Sequence, residues 1–336
     1  MLARTEGDFL DDLPHDVPIY TLNTPRLLIA LVPLAVFLHR TRWDVVFSTS
    51  GGMNLVAAAA HRLSGSRSRL VLSERGLQRH EISLKRWLLL PLKRRLYKQA
   101  DHITTVSEGV KAELVEILGL NARNIAVVYN PIVTSELQVL AKEPVEHLWF
   151  FQPIPIILAA GRLVPEKDFA TLIRAFAQVR SIREARLMIL GEGPLRSELS
   201  ELARSLGIER DVALPGFDKN PFKYMARCAL FVLSSRFEGL PGVLIQAMAC
   251  GSPVISTACP SGPSEIIDDE VDGLLVPVGN VHRLADRIGY LLDNPNVRER
   301  LSLNGRRAVQ RFHADAVVTA YSRALMGSAD GSEVGP

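Results

Sequence analysis

The chain is expected to be an α/β protein built from two doubly wound parallel-sheet domains, and three observations predict this. Short β-branched and apolar runs alternate with amphipathic helical stretches almost from end to end, the pattern of parallel strands joined by crossover helices. The alternation lapses once, over residues 134–155, which carry Pro144, Pro153 and Pro155 as a linker would. The length of 336 residues suits two domains, and 47% hydrophobic against 22% charged residues is enough to build their cores.

Taken in order, Val45-Val46-Phe47 reads as a strand followed by a helix over Asn54–Leu63, and Leu70-Val71-Leu72 as the next strand. A strand at Ile103–Val106 leads to Ser107, a good N-cap for a helix reaching Leu118. Ile125–Tyr129 is a further strand that ends at Asn130-Pro131. After the break the pattern resumes with Ile156–Ala160 and a helix over Phe169–Arg180. Strands follow at Leu187–Leu190, Val212–Leu214, Leu230–Leu233 and Pro253–Ser256. The expected division is residues 1–140, a linker at 141–155, a second domain at 156–310, a terminal helix at 311–326 and a frayed polar tail at 327–336.

Composition removes several function classes. The net charge of +3 does not mark a generally basic nucleic-acid binder. Three cysteines, Cys228, Cys250 and Cys259, without CxxC spacing give neither a disulfide framework nor a zinc site and fit a reducing compartment. The acidic residues near Met1 do not suit a signal peptide, and the longest apolar run, Leu27–Leu38, is too short for a membrane span. A cytoplasmic location is expected.

In doubly wound sheets ligands bind beyond the carboxyl ends of the strands, so the strand-to-helix turns are the informative positions. Gly161-Arg162-Leu163-Val164-Pro165-Glu166-Lys167 follows a buried strand with a glycine and two cations at the mouth of a helix, a set that suits a diphosphate. A surface Arg and Lys at an ordinary helix start remains the alternative. Gly191-Glu192-Gly193-Pro194 admits close approach of a ring or phosphate, or is a plain tight turn. In the run from Phe237 to Gly251, Glu238 precedes the turn Gly239-Leu240-Pro241, and Gln246 lies near the first turn of the helix that follows. The amides of Gly239–Val243 suit an anion or sugar hydroxyls. A fourth turn is Cys259-Pro260-Ser261-Gly262-Pro263-Ser264-Glu265; the cluster Asp268-Asp269-Glu270 with Asp272 reads as a solvated loop, not a metal site.

These turns together resemble the retaining glycosyltransferases of family 4, and the Ser261–Glu265 turn resembles bacterial members that build lipid-linked glycans or exopolysaccharides. The resemblance implies the GT-B fold: two facing Rossmann-like domains with the active site in the cleft, the nucleotide-sugar on the C-terminal domain and the acceptor mainly on the N-terminal one. It implies that Arg162 and Lys167 grip the donor diphosphate and that Glu238 contacts donor-sugar hydroxyls, with Gly161, Gly191, Gly193, Gly239, Leu240 and Pro241 shaping the pocket. By the same resemblance the donor is expected to be UDP- or GDP-linked, with no cofactor or metal required. Arg311-Phe312 to Leu325 matches a terminal helix that crosses back to the first domain.

Three features depart from the family pattern. Gln246 stands where a second glutamate normally holds the ribose hydroxyls; an amide accepts through oxygen but donates through nitrogen, so weaker donor binding is expected. The opening strand, glycine-rich loop and helix of the first domain are not evident, so the N-terminus reads as truncated. A histidine expected after a mid-domain strand is replaced by Ser73-Glu74-Arg75-Gly76, with Arg75 as the candidate contact. These departures motivate the alternative of a catalytically impaired relative acting as a non-catalytic partner at the membrane.

Between Arg62 and Lys98 eleven basic residues face two acidic ones, interleaved with Trp and Leu. That composition suits docking on the anionic inner face of the cell membrane, where each basic residue contributes about 1 kcal/mol. An exposed helix packed on its sheet is the other reading, and the scarcity of stacking aromatics argues against RNA.

Overall fold

The computed structural model describes residues 13–24, 26–76 and 89–327. They form two compact units, one comprising the chain up to Val128 together with the stretch from Ala320, the other Tyr129–Thr319.

The first unit holds a four-stranded parallel sheet in the order β1-β2-β3-β4. Its strands are β1 (Val45–Ser48), β2 (Arg69–Glu74), β3 (His102–Thr105) and β4 (Ile125–Val127). The register pairs Val45 with Arg69, Val71 with His102 and Ile103 with Ile125. Leu70, Leu72, Ile103, Leu114, Leu118 and Tyr97 make its core, and Ala30, Leu34, Leu38, Val56 and Ala60 form a second cluster where helix Leu31–Arg40 packs on helix Gly51–Ser64. Ser107 caps helix Glu108–Leu118 as expected, its Oγ accepting from the Val110 amide at 3.2 Å.

The run Leu27–Leu38 becomes a 3-10 turn (Leu27–Ala30) continuing into helix Leu31–Arg40. It carries no polar residue, so burying one face leaves an apolar outer face: Leu28 is 80% and Val32 65% exposed, with Ile29 and Val36 also exposed.

The second unit holds a six-stranded parallel sheet in the order β10-β9-β8-β5-β6-β7. The strands are β5 (Ile156–Ala160), β6 (Arg186–Leu190), β7 (Val212–Gly216), β8 (Leu230–Leu233), β9 (Val254–Thr257) and β10 (Leu274–Val276). Every residue of β5 and β8 is buried, as expected of strands covered on both faces. Helix Phe169–Arg180 lays Phe169, Leu172, Ile173, Phe176 and Val179 onto this sheet.

The stretch expected as a linker is more structured than its prolines suggest. Helix Ser135–Leu140 and a 3-10 turn over Leu148–Phe151 belong to the second unit. Arg227 donates to the carbonyls of Ala141 and Lys142, Asn220 to that of Leu140, and the ring of Phe150 meets that of Tyr224 edge-on. These contacts give the stretch fixed partners. The last helix, Ala314–Met326, begins in the second unit, and from Ala320 onward the chain is part of the first, where the Tyr321 ring meets Phe47 edge-on. The tail lies, apart from Gly327, outside the described residues.

Candidate active site

In the second sheet β5 and β8 are neighbours although β6 and β7 lie between them in the chain, and the remaining strands extend outward in opposite directions from this pair. Strand order therefore reverses between β5 and β8, and a doubly wound sheet opens a crevice beyond the carboxyl ends at that point. The turns that leave β5 and β8 carry Gly161, Arg162 and Lys167 on one side and Glu238, Gly239, Leu240 and Pro241 on the other.

The two turns meet through their functional side chains. Lys167 Nζ donates to Glu238 Oε1 at 2.6 Å, both side chains being largely buried. The same oxygen accepts from Ser235 Oγ at 2.6 Å, which fixes the carboxylate and leaves Oε2 to accept elsewhere. Ser235 is itself held, its carbonyl accepting from Thr257 Oγ1 on β9. Two further N–H donors of Lys167 remain for an anion.

The backbones are fastened as well. The Arg236 amide donates to the Glu166 carbonyl at 2.8 Å, Ser234 Oγ to the Lys167 carbonyl at 2.8 Å, and Arg236 Nε to Asp168 Oδ2 at 2.9 Å. Three consecutive residues after β5 are thus clipped to residues 234–236 after β8. Arg162 is exposed and unpaired among the described residues, so its guanidinium is available. Beyond Glu238, the amides of Gly239 and Leu240 donate to no described partner, and helix Gly242–Cys250 begins with amides that lack intrahelical acceptors. Gln246, half-buried one turn into that helix, makes no hydrogen bond among the described residues.

Gly191 and Gly193 serve first to pack one turn on another. The Leu163 amide donates to the Glu192 carbonyl at 2.9 Å and the Leu195 amide to the Leu163 carbonyl at 3.1 Å. A Cβ on Gly191 would collide with the Gly161 carbonyl, and one on Gly193 would lie 2.5 Å from the Leu163 carbonyl oxygen. The turn at 191–194 thereby supports the Gly161–Leu163 backbone. Ser261 Oγ donates to the Glu238 carbonyl, so the fourth turn braces Glu238 from the other side. Cys259 packs here too, its thiol pushed up to about 12 by burial and by Glu238.

Chain comparison agrees with the geometry. Residues 150–308 match the model for glycosyl transferases group 1, and residues 4–131 that for a glycosyl transferase 4-like domain. The N-acetylgalactosamine-N,N'-diacetylbacillosaminyl-diphospho-undecaprenol 4-alpha-N-acetylgalactosaminyltransferase of Campylobacter jejuni is 32% identical over 84% of this chain and 76% of its own length. This chain is a family-4-type glycosyltransferase. The transferase is also 30% identical to the lipopolysaccharide core biosynthesis glycosyltransferase LpsE of Rhizobium meliloti, over 70% of this chain and 67% of that protein. In fold, it superposes on Anabaena HepE in complex with UDP with a TM-score of 0.79 at 22% identity, covering 91% of this chain and 85% of HepE. The two parallel-sheet units are thus the two Rossmann-like domains of a GT-B transferase.

In the first unit of the transferase, Arg75 is exposed at the carboxyl end of β2, and the residue before it is the more deeply engaged. Glu74 is buried, accepting from Lys93 Nζ at 2.9 Å and from Tyr97 Oη at 2.6 Å. Burial, with the neighbouring Glu74 carboxylate, raises the Tyr97 hydroxyl well above its ordinary range, so it stays a donor. The basic stretch is described only in part, residues 77–88 lying outside the described residues. In the acidic cluster, Asp272 is buried with Oδ1 accepting from the Asp268 amide, Asp269 accepts from the Leu275 amide, and Glu270 pairs with Arg287. These carboxylates are spent on the turn itself.

Ser234, Ser235, Asp168 and Arg236 escape the sequence reading. Ser235 and Glu238 lie three residues apart within one turn and offered a local signal. Asp168 and Arg236 are separated by 68 residues and are joined only by the adjacency of β5 and β8.

Proposed function

We propose that the transferase moves a hexose or N-acetylhexosamine from a UDP- or GDP-linked donor to a lipid-linked glycan acceptor, with retention at the anomeric carbon, in cell-surface polysaccharide synthesis. The observation that carries the donor side is the Lys167–Glu238 contact at the point where strand order reverses. Lys167 and Arg162 meet the diphosphate, and Glu238 Oε2 with the Gly239 and Leu240 amides meets sugar hydroxyls. Gln246 lies toward the ribose.

In the reaction the bond from the anomeric carbon to the diphosphate oxygen breaks and its electron pair leaves with the nucleoside diphosphate. An acceptor hydroxyl oxygen bonds to the same face of the sugar and its proton passes to the departing phosphate oxygen. Positive charge builds on the sugar ring while negative charge builds on the leaving group, so cations fixed at the diphosphate lower the barrier. Each charge-assisted hydrogen bond contributes about 1.5–3 kcal/mol.

A lipid-linked acceptor places the work at the cytoplasmic face of the cell membrane. Support comes from the basic residues of the 62–98 stretch and from the exposed Leu28, Ile29, Val32 and Val36, which add apolar surface suited to the headgroup boundary. Among the described residues no helix is long and apolar enough to cross a membrane. The Campylobacter relative, whose name specifies a diphospho-undecaprenol substrate, supports the same acceptor class.

Calorimetric titration with UDP and GDP, using Arg162→Ala and Lys167→Ala as controls, tests the donor site. One nucleotide is expected to bind, with binding lost in both variants. Equal binding by wild type and variants would reject the assignment. Proton NMR of the first-formed glycoside then reads retention directly.

A further inference from the structure

We propose that Asp168, held by Arg236, is a positioning residue for the donor site: it sets the distance between the turn bearing Lys167 and the turn bearing Glu238. The inference rests on the reading of those two residues as donor-binding groups.

The argument begins with where Asp168 sits. It precedes helix Phe169–Arg180 at the N-cap position, where an aspartate ordinarily accepts from amides of the first helical turn. No such bond is made. Asp168 Oδ2 instead accepts from Thr171 Oγ1 at 2.9 Å and from Arg236 Nε at 2.9 Å. The carboxylate therefore ties the first turn of its own helix, through the Thr171 hydroxyl, to the other turn, through Arg236.

The backbone makes the choice of residue more pointed. Asp168 has φ 46° and ψ 43°, the left-handed region that glycine occupies most easily. A carboxyl side chain kept at such a position, only 5% exposed, needs a compensating role. The contact it makes supplies one. Arg236 also donates its amide to the Glu166 carbonyl, so a single residue of the second turn grips both sides of Lys167. Lys167 and Glu238 each lie within two residues of this clip. Releasing it leaves both groups and the ties through the Arg236 amide and Ser234 in place but loosens the separation, and misplacement by about 1 Å at a reacting centre is costly.

The test compares Asp168→Gly, Asp168→Asn, Arg236→Ala and the double variant Asp168→Gly/Arg236→Ala, with Lys167→Ala alongside. For each, UDP and GDP affinity, steady-state turnover of the nucleotide-sugar and the melting temperature are measured. Asp168→Gly relieves the backbone, so its melting temperature is expected to stay near wild type. Its nucleotide affinity and kcat/KM should fall on the order of tenfold, a loss that a purely structural role would not give without a fall in melting temperature. Arg236→Ala, at a side chain 54% exposed, opens the clip from the other end and should match it. The double variant should be no worse than the worse single, because both remove one interaction. Asp168→Asn, which tolerates the same backbone and can still accept from Arg236, should recover most of the loss. Unchanged affinity and turnover in Asp168→Gly and Arg236→Ala, with Lys167→Ala crippled, would overturn the positioning role alone. Unchanged behaviour in Lys167→Ala as well would reject the donor-site reading and the clip's role with it. Additive losses in the double variant would also overturn the proposal.

Discussion

In the proposed donor site, Gln246 is the residue that departs most plainly in chemistry from the pattern the family resemblance implies. An amide offers one accepting oxygen and one donating nitrogen, so one of two ribose hydroxyls must accept where it would otherwise donate. Gln246→Glu is expected to tighten binding of the preferred nucleotide several-fold, about 1 kcal/mol. Calorimetry reads this directly, and an unchanged or weaker affinity would remove Gln246 from the ribose contact. Lys167 and Glu238 were legible in the sequence because each stands beside glycines or prolines in a turn following a buried strand. Their mutual contact was not, since the residues lie 71 positions apart and only strand order joins them. The same reason hid Asp168 and Arg236. Glu74 was passed over for Arg75 because exposure and burial alternate invisibly where a strand runs out into a turn.

At the scale of elements, packing of one turn on another sets what each tolerates. Gly191 has φ 133° and its missing Cβ would strike the Gly161 carbonyl, a backbone atom that cannot swing aside. Gly191→Ala is expected to cost about 3 kcal/mol. Gly65, which ends helix Gly51–Ser64 at φ 64° with nothing within 4 Å, meets only the left-handed backbone term, so Gly65→Ala should cost about 1 kcal/mol. Denaturant melts of the two variants decide between steric and purely conformational roles; equal costs would contradict the packing account. The turn after β7 carries a pH-dependent contribution. Burial alone would raise the Asp218 carboxyl, but the Asn220 amide, Lys223 and the Tyr224 hydroxyl outweigh it and hold it below the usual carboxylate range. Its stabilisation is therefore present above the unfolded-state value and is lost as pH falls through the folded value. In acid-denaturation curves Asp218→Asn should lose stability at neutral pH and converge on wild type in acid. A constant difference at all pH values would contradict this. The strands of both sheets were largely legible from their apolar runs; β10 was not, being only three residues long, and neither was the structured stretch at 135–151, whose partners Asn220, Tyr224 and Arg227 are distant in sequence.

Across the whole molecule, a doubly wound architecture follows from alternation alone, and the reversal of strand order then locates the crevice without reference to any motif. Sequence periodicity predicts that strands are parallel; it does not rank them, and the β5–β8 adjacency that organises the site had to be seen. The discontinuity of the first unit has a consequence for how the protein is made. The last described strand of its sheet ends at Val127, yet Tyr321, which packs on Phe47, is synthesised nearly two hundred residues later. Emerging from the ribosome, the first unit must wait, with that surface bare, while the second is translated and folds. A chain stopped after Thr319 should keep a cooperative transition for the second unit and show earlier amide exchange through β1 and β2. Protection of those strands equal to the full chain would show that the early unit closes unaided. Folding order, and not only binding chemistry, is therefore written into the position of a single tyrosine near the end of the chain.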